Sequence, residues 1–435
     1  MKTLIKNGRI IDPANNIDAV CDILIENSRI SKVEKNIRPE AEQIIDAADK
    51  IVMPGIVDMH VHLREPGRED KENIASGTLA ALCGGVTSLL AMPNTQPPID
   101  SAENVKLLKG LIKNSAGANV FIAGAITKGR QGEELTEIAK LKKEGIIAIS
   151  DDGSSVDSDK VMLEAFKIAK KERVLVICHS EDKKLSVNGV VNLGLTSTRM
   201  GLRGISKESE YKRVARDIEL AEKVNAPVHI AHISCKESVE IIASAMKKGI
   251  GVTCDTAPHY FSLSEEAVLG FDTNMKMNPP LRSKDDMASI RQGLADGTIE
   301  AIASDHAPHT ENEKEIEFER AEFGVIGLET ELAVSITELV HTGLLDWTGL
   351  VKKLALNPAK ILGIDKPPHQ NLWCGGKGTL SVGAAADIIV VSPDREWLVE
   401  KGRFVSKSKN SAFLGRRLKG RVEYTICSGK IAYKA

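Results

Sequence analysis

Short apolar runs and amphipathic stretches alternate along most of this chain. From Ile56 onward, each run of strand-like residues is followed by a segment in which apolar positions recur every three or four residues. IVDMHV precedes ENIASGTLAALCGG, VTSLLAM precedes AENVKLLKGLI, NVFIAGAI precedes EELTEIAKLKKEG, and IIAIS precedes DKVMLEAFKIAKK. The alternation continues with VLVICH and EYKRVARDIELAEKV, PVHIAHIS and KESVEIIASAMKKG, GVTCD and DDMASIRQGLA, and IEAIAS and LETELAVSITELV. Eight such pairs predict a (β/α)8 TIM barrel, whose strands are buried on both faces and therefore read as nearly continuous apolar runs.

The two ends follow another pattern. TLIKNGRIID, DILIENSRISKV and IVMPG read as short strands with turn residues between them and no sustained helical period. After two further helical stretches, DWTGLVKKLAL and PAKILG, the Pro/Gly-rich KPPHQNLWCGGKG leads into strand-like AADIIVVS and RVEYTICSGKIAYK. The α/β chain is therefore expected to divide into a barrel over residues 55–365 and a smaller discontinuous β domain built from both termini, residues 1–54 and 366–435.

Composition narrows the functional classes. The 435 residues are 42% hydrophobic, enough for a large core, and 58 basic against 60 acidic residues leave a formal charge of -2. That balance provides no electrostatic footprint for nucleic acid or an acidic membrane. No apolar run approaches the roughly 20 residues of a membrane span, and MKTLIKNGRIIDPANN lacks the apolar centre of a signal peptide. The expected location is cytoplasmic. Seven cysteines without a CxxC pair argue against a disulfide framework or a thiolate zinc site, and Cys178 reads as a small buried apolar residue.

The candidate chemistry sits where the strands end. His60 and His62 are two apart, so in a strand they project to the same side. An isolated HxH is more often a pair of partly exposed histidines, but here other strands end in the same way. Asp151 and Asp152 follow strand four, His179 ends strand five, His232 ends strand six and Asp305 ends strand eight. Catalytic groups of this fold lie at the carboxyl ends of its strands, so the five strand ends deliver imidazoles and carboxylates to one rim. Nitrogen and carboxylate donors without thiolate suit Zn2+ or a similar ion, and the set is large enough for one or two ions. Of Asp151 and Asp152, only one can point inward.

These segments resemble the amidohydrolase superfamily and, within it, the long-chain dihydroorotases. The resemblance runs through VMPGIVDMHVHLREPG, GGVTSLLAMPNTQPP, SDDG, CHSED, APHY, MNPPLR, SDHAPH, FGVIGLET and GTLSVGAAADIIVV, and so covers essentially the whole chain. It implies metal ligands at His60, His62, Asp152, His179, His232 and Asp305, with Asp152 standing where many family members carry a carboxylated lysine. The implied activity is a reversible hydrolysis in pyrimidine biosynthesis, opening the cyclic amide of dihydroorotate to carbamoyl aspartate. In that reaction Asp305 is placed to act as general base and acid. Arg64, two residues beyond His62, is placed to grip the substrate carboxylate with a bidentate pair. Asn94 and His309 resemble the family's other carboxylate contacts, and Asn278 with the backbone at Phe323 and Gly324 its contacts to the ring. A small-molecule substrate, a homodimer and association with aspartate transcarbamoylase are the implied partners. Allantoinase or dihydropyrimidinase/hydantoinase activity is the nearest alternative, although similar allantoinases tend to carry asparagine at the Arg64 position. A non-catalytic assembly partner of aspartate transcarbamoylase is the alternative of another class, against which stands the complete set of ligands.

Other conspicuous residues read as structural. His259 is expected to be a hydrogen-bonded structural histidine, His229 to face the helix layer because it lies an odd number of residues from His232, and His341 and His369 to lie at the surface. Gly84 and Gly85 read as a helix stop. The charged run TENEKEIEFERAEFG is positioned to form a mobile lid over the rim.

Overall fold

The computed structural model describes residues 2–38, 41–366 and 376–435. Most of the predicted Pro/Gly-rich connection over 366–378, and with it His369, lies outside the described residues.

Eight parallel strands form the barrel: Ile56–Val61, Val86–Ala91, Asn119–Gly124, Ala148–Ile149, Leu175–Cys178, Val228–Ile230, Val252–Thr256 and Ala301–Ile302. Each pairs in parallel with the next. The ring closes where Val61 bridges His306 and the His62 N–H donates to the His306 carbonyl at 2.9 Å. Alternate strand residues separate two apolar layers. Val57, Leu90, Ala123, Ile177, Ala231 and Ala301 pack inside the ring against Ala359 and Leu362, at and just beyond the helix Asn357–Ile361. Their neighbours, such as Ile56, Leu89, Ile122, Val176 and Ile230, pack outward against helices. Burying a large aliphatic side chain in either layer contributes about 1.5–3 kcal/mol, so both faces of each strand favour apolar residues.

Seven of the crossover helices run over Ile74–Gly84, Ala102–Ser115, Ile138–Glu144, Asp159–Glu172, Glu208–Lys223, Lys236–Lys247 and Lys284–Asp296. The first starts on an Asn73 capping box and stops at Gly85, which is left-handed with φ 88°, at the predicted stop. Gly84 is a place of close approach, because a Cβ there would lie 1.9 Å from the Leu328 carbonyl oxygen. The eighth helix is short, Glu331–Ser335, and continues as a π turn over Ile336–Val340.

Both termini share one sheet. Its strands lie in the order Lys430–Lys434, Arg417–Cys427, Ile388–Leu398, Ile51–Pro54, Lys2–Asp12, Ile17–Glu26 and Arg29–Glu34. A further strand, Gln43–Asp46, runs parallel to Lys2–Asp12. Ile51–Pro54 pairs antiparallel with Ile388–Leu398 and passes through Gly55 directly into the first barrel strand, which ends in the two histidines. No described helix is long and apolar enough to cross a membrane.

Candidate metal centre

The rim residues are held by their backbones as well as by packing. Asp58 Oδ1 accepts the His60 N–H at 3.0 Å and the Ser304 N–H at 3.2 Å, fastening the first strand to the eighth beside Asp305. Three rim residues adopt left-handed backbone: Arg64 with φ 62°, His232 with φ 39° and Asp305 with φ 50°. Non-glycine residues in this region each cost about 1–3 kcal/mol and concentrate where a site needs a particular direction.

The histidines converge on Asp152. Its Oδ1 lies 3.1 Å from His60 Nε2 and 3.5 Å from both His179 Nδ1 and His232 Nε2, while its Oδ2 lies 3.4 Å from His62 Nε2. Asp305 Oδ1 is 3.7 Å from His60 Nε2 and 3.8 Å from His62 Nε2. Donors at 2.0–2.2 Å from a tetrahedral ion lie about 3.3–3.6 Å apart, so these separations suit atoms arranged around a cation. His60–Asp152–His232 and His60–His62–Asp305 each place their ligand atoms within 4.8 Å of one another. Buried His60 Nε2 and Asp152 Oδ1 have no hydrogen-bond partner among the described residues. Orphaned donors of this chemistry fit a divalent ion of the zinc type.

Electrostatics support the same fit. Burial opposes charge throughout the cluster, yet His60 is pushed up to about 9 by Asp152, and His179 to about 10 by Asp152 and Glu181. Asp152 and Asp305 are held well below the usual carboxylate range, against their burial, by the surrounding imidazoles. The cluster therefore stabilises positive charge, which a divalent ion supplies without protonating its ligands.

The adjacent aspartates have separate surroundings. Asp151 Oδ1 accepts the N–H groups of Ile126 and Thr127 at 2.8 and 3.1 Å, and its Oδ2 accepts the Thr127 hydroxyl. Asp152 faces the four histidines, and its carbonyl accepts from Arg130.

Beside the donors opens a cavity of about 230 Å³, lined by His62, Asp152, His179, His232 and Asp305 and by all six candidate substrate contacts. His60 lies beneath it, 1% exposed. Arg64 Nε donates to the Pro308 carbonyl at 3.1 Å, and burial lowers the guanidinium to about 10. Asn94 Oδ1 accepts from His62 Nδ1 at 2.8 Å, which turns Nε2 toward the cluster. Asn278 Nδ2 lies 3.4 Å from Glu181 Oε2. His309 is fully engaged: Nε2 donates to the Phe323 carbonyl at 2.8 Å and Nδ1 accepts from Lys71 at 3.1 Å, so burial and the neighbouring cations keep the ring neutral. The Gly324 N–H is likewise taken, by the Lys276 carbonyl at 2.9 Å.

Several expectations need correction. His229 faces the barrel interior, not the helices, because it sits across from Ile177 and Thr253 and bonds Asp255. The parity argument fails because the left-handed His232 breaks strand alternation. His259 is buried, but its Nε2 has no hydrogen-bond partner among the described residues, and burial lowers it to about 4. The segment 310–324 is pinned. Lys276 Nζ donates to the Phe318, Glu319 and Ala321 carbonyls, and Lys314 Nζ to those of Lys276, Glu322 and Gly324. His341 is exposed and Cys178 is buried in the core, as expected.

Asp58, Glu181 and Asp255 were not anticipated. Asp58 and Asp255 carry a visible signal, since one stands two residues before His60 and the other ends strand seven, at the rim level of the other acids.

Comparison with known proteins agrees with the fold and shows the family. A family model described as Dihydro-orotase-like matches residues 49–238. A dihydroorotase of Elusimicrobium minutum is 51% identical over 99% of this chain and 97% of its own length. One of Geotalea daltonii is 49% identical over 100% of both. Among solved structures, an L-hydantoinase (dihydropyrimidinase) from Arthrobacter aurescens superposes with a TM-score of 0.87 at 24% identity, covering 99% of this chain and 95% of that one. A D-hydantoinase (dihydropyrimidinase) from Thermus sp. gives 0.82 at 23%, covering 100% and 96%. At these identities the two structures speak for the fold.

Proposed function

The chain belongs to the dihydroorotase family of cyclic amidohydrolases, and on that premise we propose that it interconverts dihydroorotate and carbamoyl aspartate in pyrimidine biosynthesis. The observation that carries the choice of substrate is Arg64. It is a guanidinium largely withdrawn from water at the wall of the donor cavity, with Nε engaged by the Pro308 carbonyl and Nη2 3.3 Å from His309 Nε2. Dihydroorotate has a carboxylate outside its reacting amide for such a group to grip, whereas dihydropyrimidine and hydantoin rings have none.

His60, His62, Asp152, His179, His232 and Asp305 would hold one or two Zn2+ ions, which would lower the pKa of the attacking water toward neutrality and polarise the amide carbonyl. The remaining work falls to side chains. Asp305, ionised at neutral pH, takes the proton of the attacking water as the C–O bond forms, then delivers it to the ring nitrogen as the C–N bond breaks. In condensation the same carboxyl protonates the departing oxygen. Asn94, its Oδ1 committed to His62, has Nδ2 left to donate to the substrate carboxylate. Asn278 and the Phe323–Gly324 backbone border the ring, and His309 reaches the carboxylate side by releasing the Phe323 carbonyl.

Location in the cytoplasm, a homodimer and an aspartate transcarbamoylase partner belong to the same reading and rest on the family resemblance. Light scattering with and without the transcarbamoylase tests the last two. The decisive experiment is an assay of both directions with metal analysis on the same sample, with allantoin and dihydrouracil as comparison substrates. Turnover of dihydroorotate is expected to disappear on chelation and return with Zn2+. A folded, metal-loaded protein that leaves dihydroorotate unchanged, or opens allantoin faster, refutes the assignment.

A further inference from the structure

His232 should not be able to reach the cluster from a regular strand. It follows Val228 and Ile230 at even spacing, and those two residues pack outward into the helix layer. Strand alternation would send the His232 imidazole the same way. The left-handed backbone, φ 39°, turns it inward, to within 3.5 Å of Asp152 and 3.0 Å of His179. Such a conformation is disfavoured for a non-glycine residue and needs something to hold it.

Asp255, on the seventh strand and 1% exposed, provides the hold. Its Oδ1 accepts the His232 N–H at 2.6 Å. Its other oxygen, Oδ2, accepts from His229 Nε2 at 2.9 Å, and His229 Nδ1 is bonded to the Thr253 hydroxyl at 2.8 Å. His229 is 0% exposed, and only the Thr253 end of this chain of contacts is partly exposed. A carboxylate with one oxygen tied cannot swing away from the amide it accepts, so the orientation of His229 is transmitted to the backbone of His232.

We propose that Asp255, fixed by His229, is a positioning residue that sets the backbone of His232 and thereby the direction of its imidazole. The proposal rests on the reading of the cluster as a metal centre. The dyad is placed to act on that centre without contacting ion or substrate, by keeping one ligand turned against the natural alternation of its strand.

The test is metal binding by the full-length protein, measured with Zn2+ in competition with a chromophoric chelator and by the visible spectrum of the Co2+-loaded form. Asp255→Ala is expected to weaken Zn2+ binding about tenfold to a hundredfold and to alter the Co2+ spectrum. Asp255→Asn keeps an oxygen for the His232 N–H and should bind close to the parent. If Asp255→Ala does not fold, His229→Leu takes its place and should weaken binding, while His229→Gln, whose amide N–H replaces the donor, should restore it. Parent-like binding by Asp255→Ala or His229→Leu overturns the proposal, as does an Asn variant impaired as much as the Ala variant. A parent protein that binds no Zn2+ overturns both the proposal and the metal centre, and that failure is visible in the parent alone.

Discussion

Replacing Glu331 with methionine should stabilise the protein, and more so as pH rises. Glu331 opens the eighth helix at 0% exposure, and neither carboxyl oxygen has a hydrogen-bond partner among the described residues. Burial, reinforced by Asp58 and Asp255, pushes its pKa well above the ordinary 4.5. Leaving a buried polar group unsatisfied costs about 1–3 kcal/mol, which an apolar side chain of similar length recovers. The pH dependence adds to this. An acid whose pKa is higher in the folded than in the unfolded state binds more protons when folded, so its contribution to stability falls as pH rises through the unfolded value. Above pH 4.5 the unfolded carboxyl ionises while the folded one is held protonated, so this position costs the parent stability that Glu331→Met does not lose there. For a chain of this length the unfolding entropy is about 0.9 kcal/mol/K, so the variant should melt about 1–3 °C higher near pH 4.5, and the gap should widen as pH rises. Calorimetric melts of both proteins from pH 4.5 to 7, at equal metal loading, provide the check. A variant that melts below the parent, or a difference that does not change with pH, would show that the carboxyl has found a partner and refute the reasoning.

Arg64→Met should weaken dihydroorotate and carbamoyl aspartate by about 2–5 kcal/mol and spare ring analogues without a carboxylate; equal losses in kinetic assays would remove Arg64 from carboxylate recognition. Asp305→Asn should lower kcat at least about a hundredfold, since it keeps the shape and removes the proton acceptor; a rate near the parent's would assign the proton transfer elsewhere. Asp152→Ala should lose metal and activity while Asp151→Ala, whose carboxylate serves Ile126 and Thr127, keeps most of both. Because no carboxylated lysine has to form, metal-free parent should also recover as well in CO2-depleted buffer as in bicarbonate, and a bicarbonate requirement would reverse that assignment. Lys314→Met removes a donor from the Glu322 carbonyl and one of two donors from those of Lys276 and Gly324, and should speed amide hydrogen exchange across 310–324; unchanged exchange would mean that the segment is held by other contacts.

The barrel was legible because its strands are buried on both faces, so each stood out as a compact apolar run such as VTSLLA or VLVIC. The rim was legible for a related reason, since His, Asp and Arg recur where those runs end. Gln43–Asp46 escaped notice because a short, mostly exposed strand leaves little apolar signature. The inward turn of His229 was hidden because alternation assumes regular backbone, and nothing in the side-chain pattern around His232 announces a left-handed residue. Lys276 and Lys314 carry no signal in the sequence, yet both are buried and satisfied by backbone carbonyls, some of them more than forty residues away in the case of Lys276. Such non-local satisfaction of charge has no local code.

The bond from the Ser304 N–H to Asp58 bears on how the protein is made. Its partners are 246 positions apart, and it lies where the last strand of the ring meets the first. Closing a flexible loop of that length costs about 5 kcal/mol of chain entropy, recovered only when the whole ring zips shut. During synthesis His60 and His62 emerge early, but Asp305 joins them only after the eighth strand has left the ribosome. A truncated or half-folded chain thus carries most of the imidazoles and lacks the enclosure around them. Acquisition of a tightly held ion would then mark the moment of ring closure, and its release under mild denaturant would report the opening of the seam between Asp58 and Ser304 before the rest of the barrel melts.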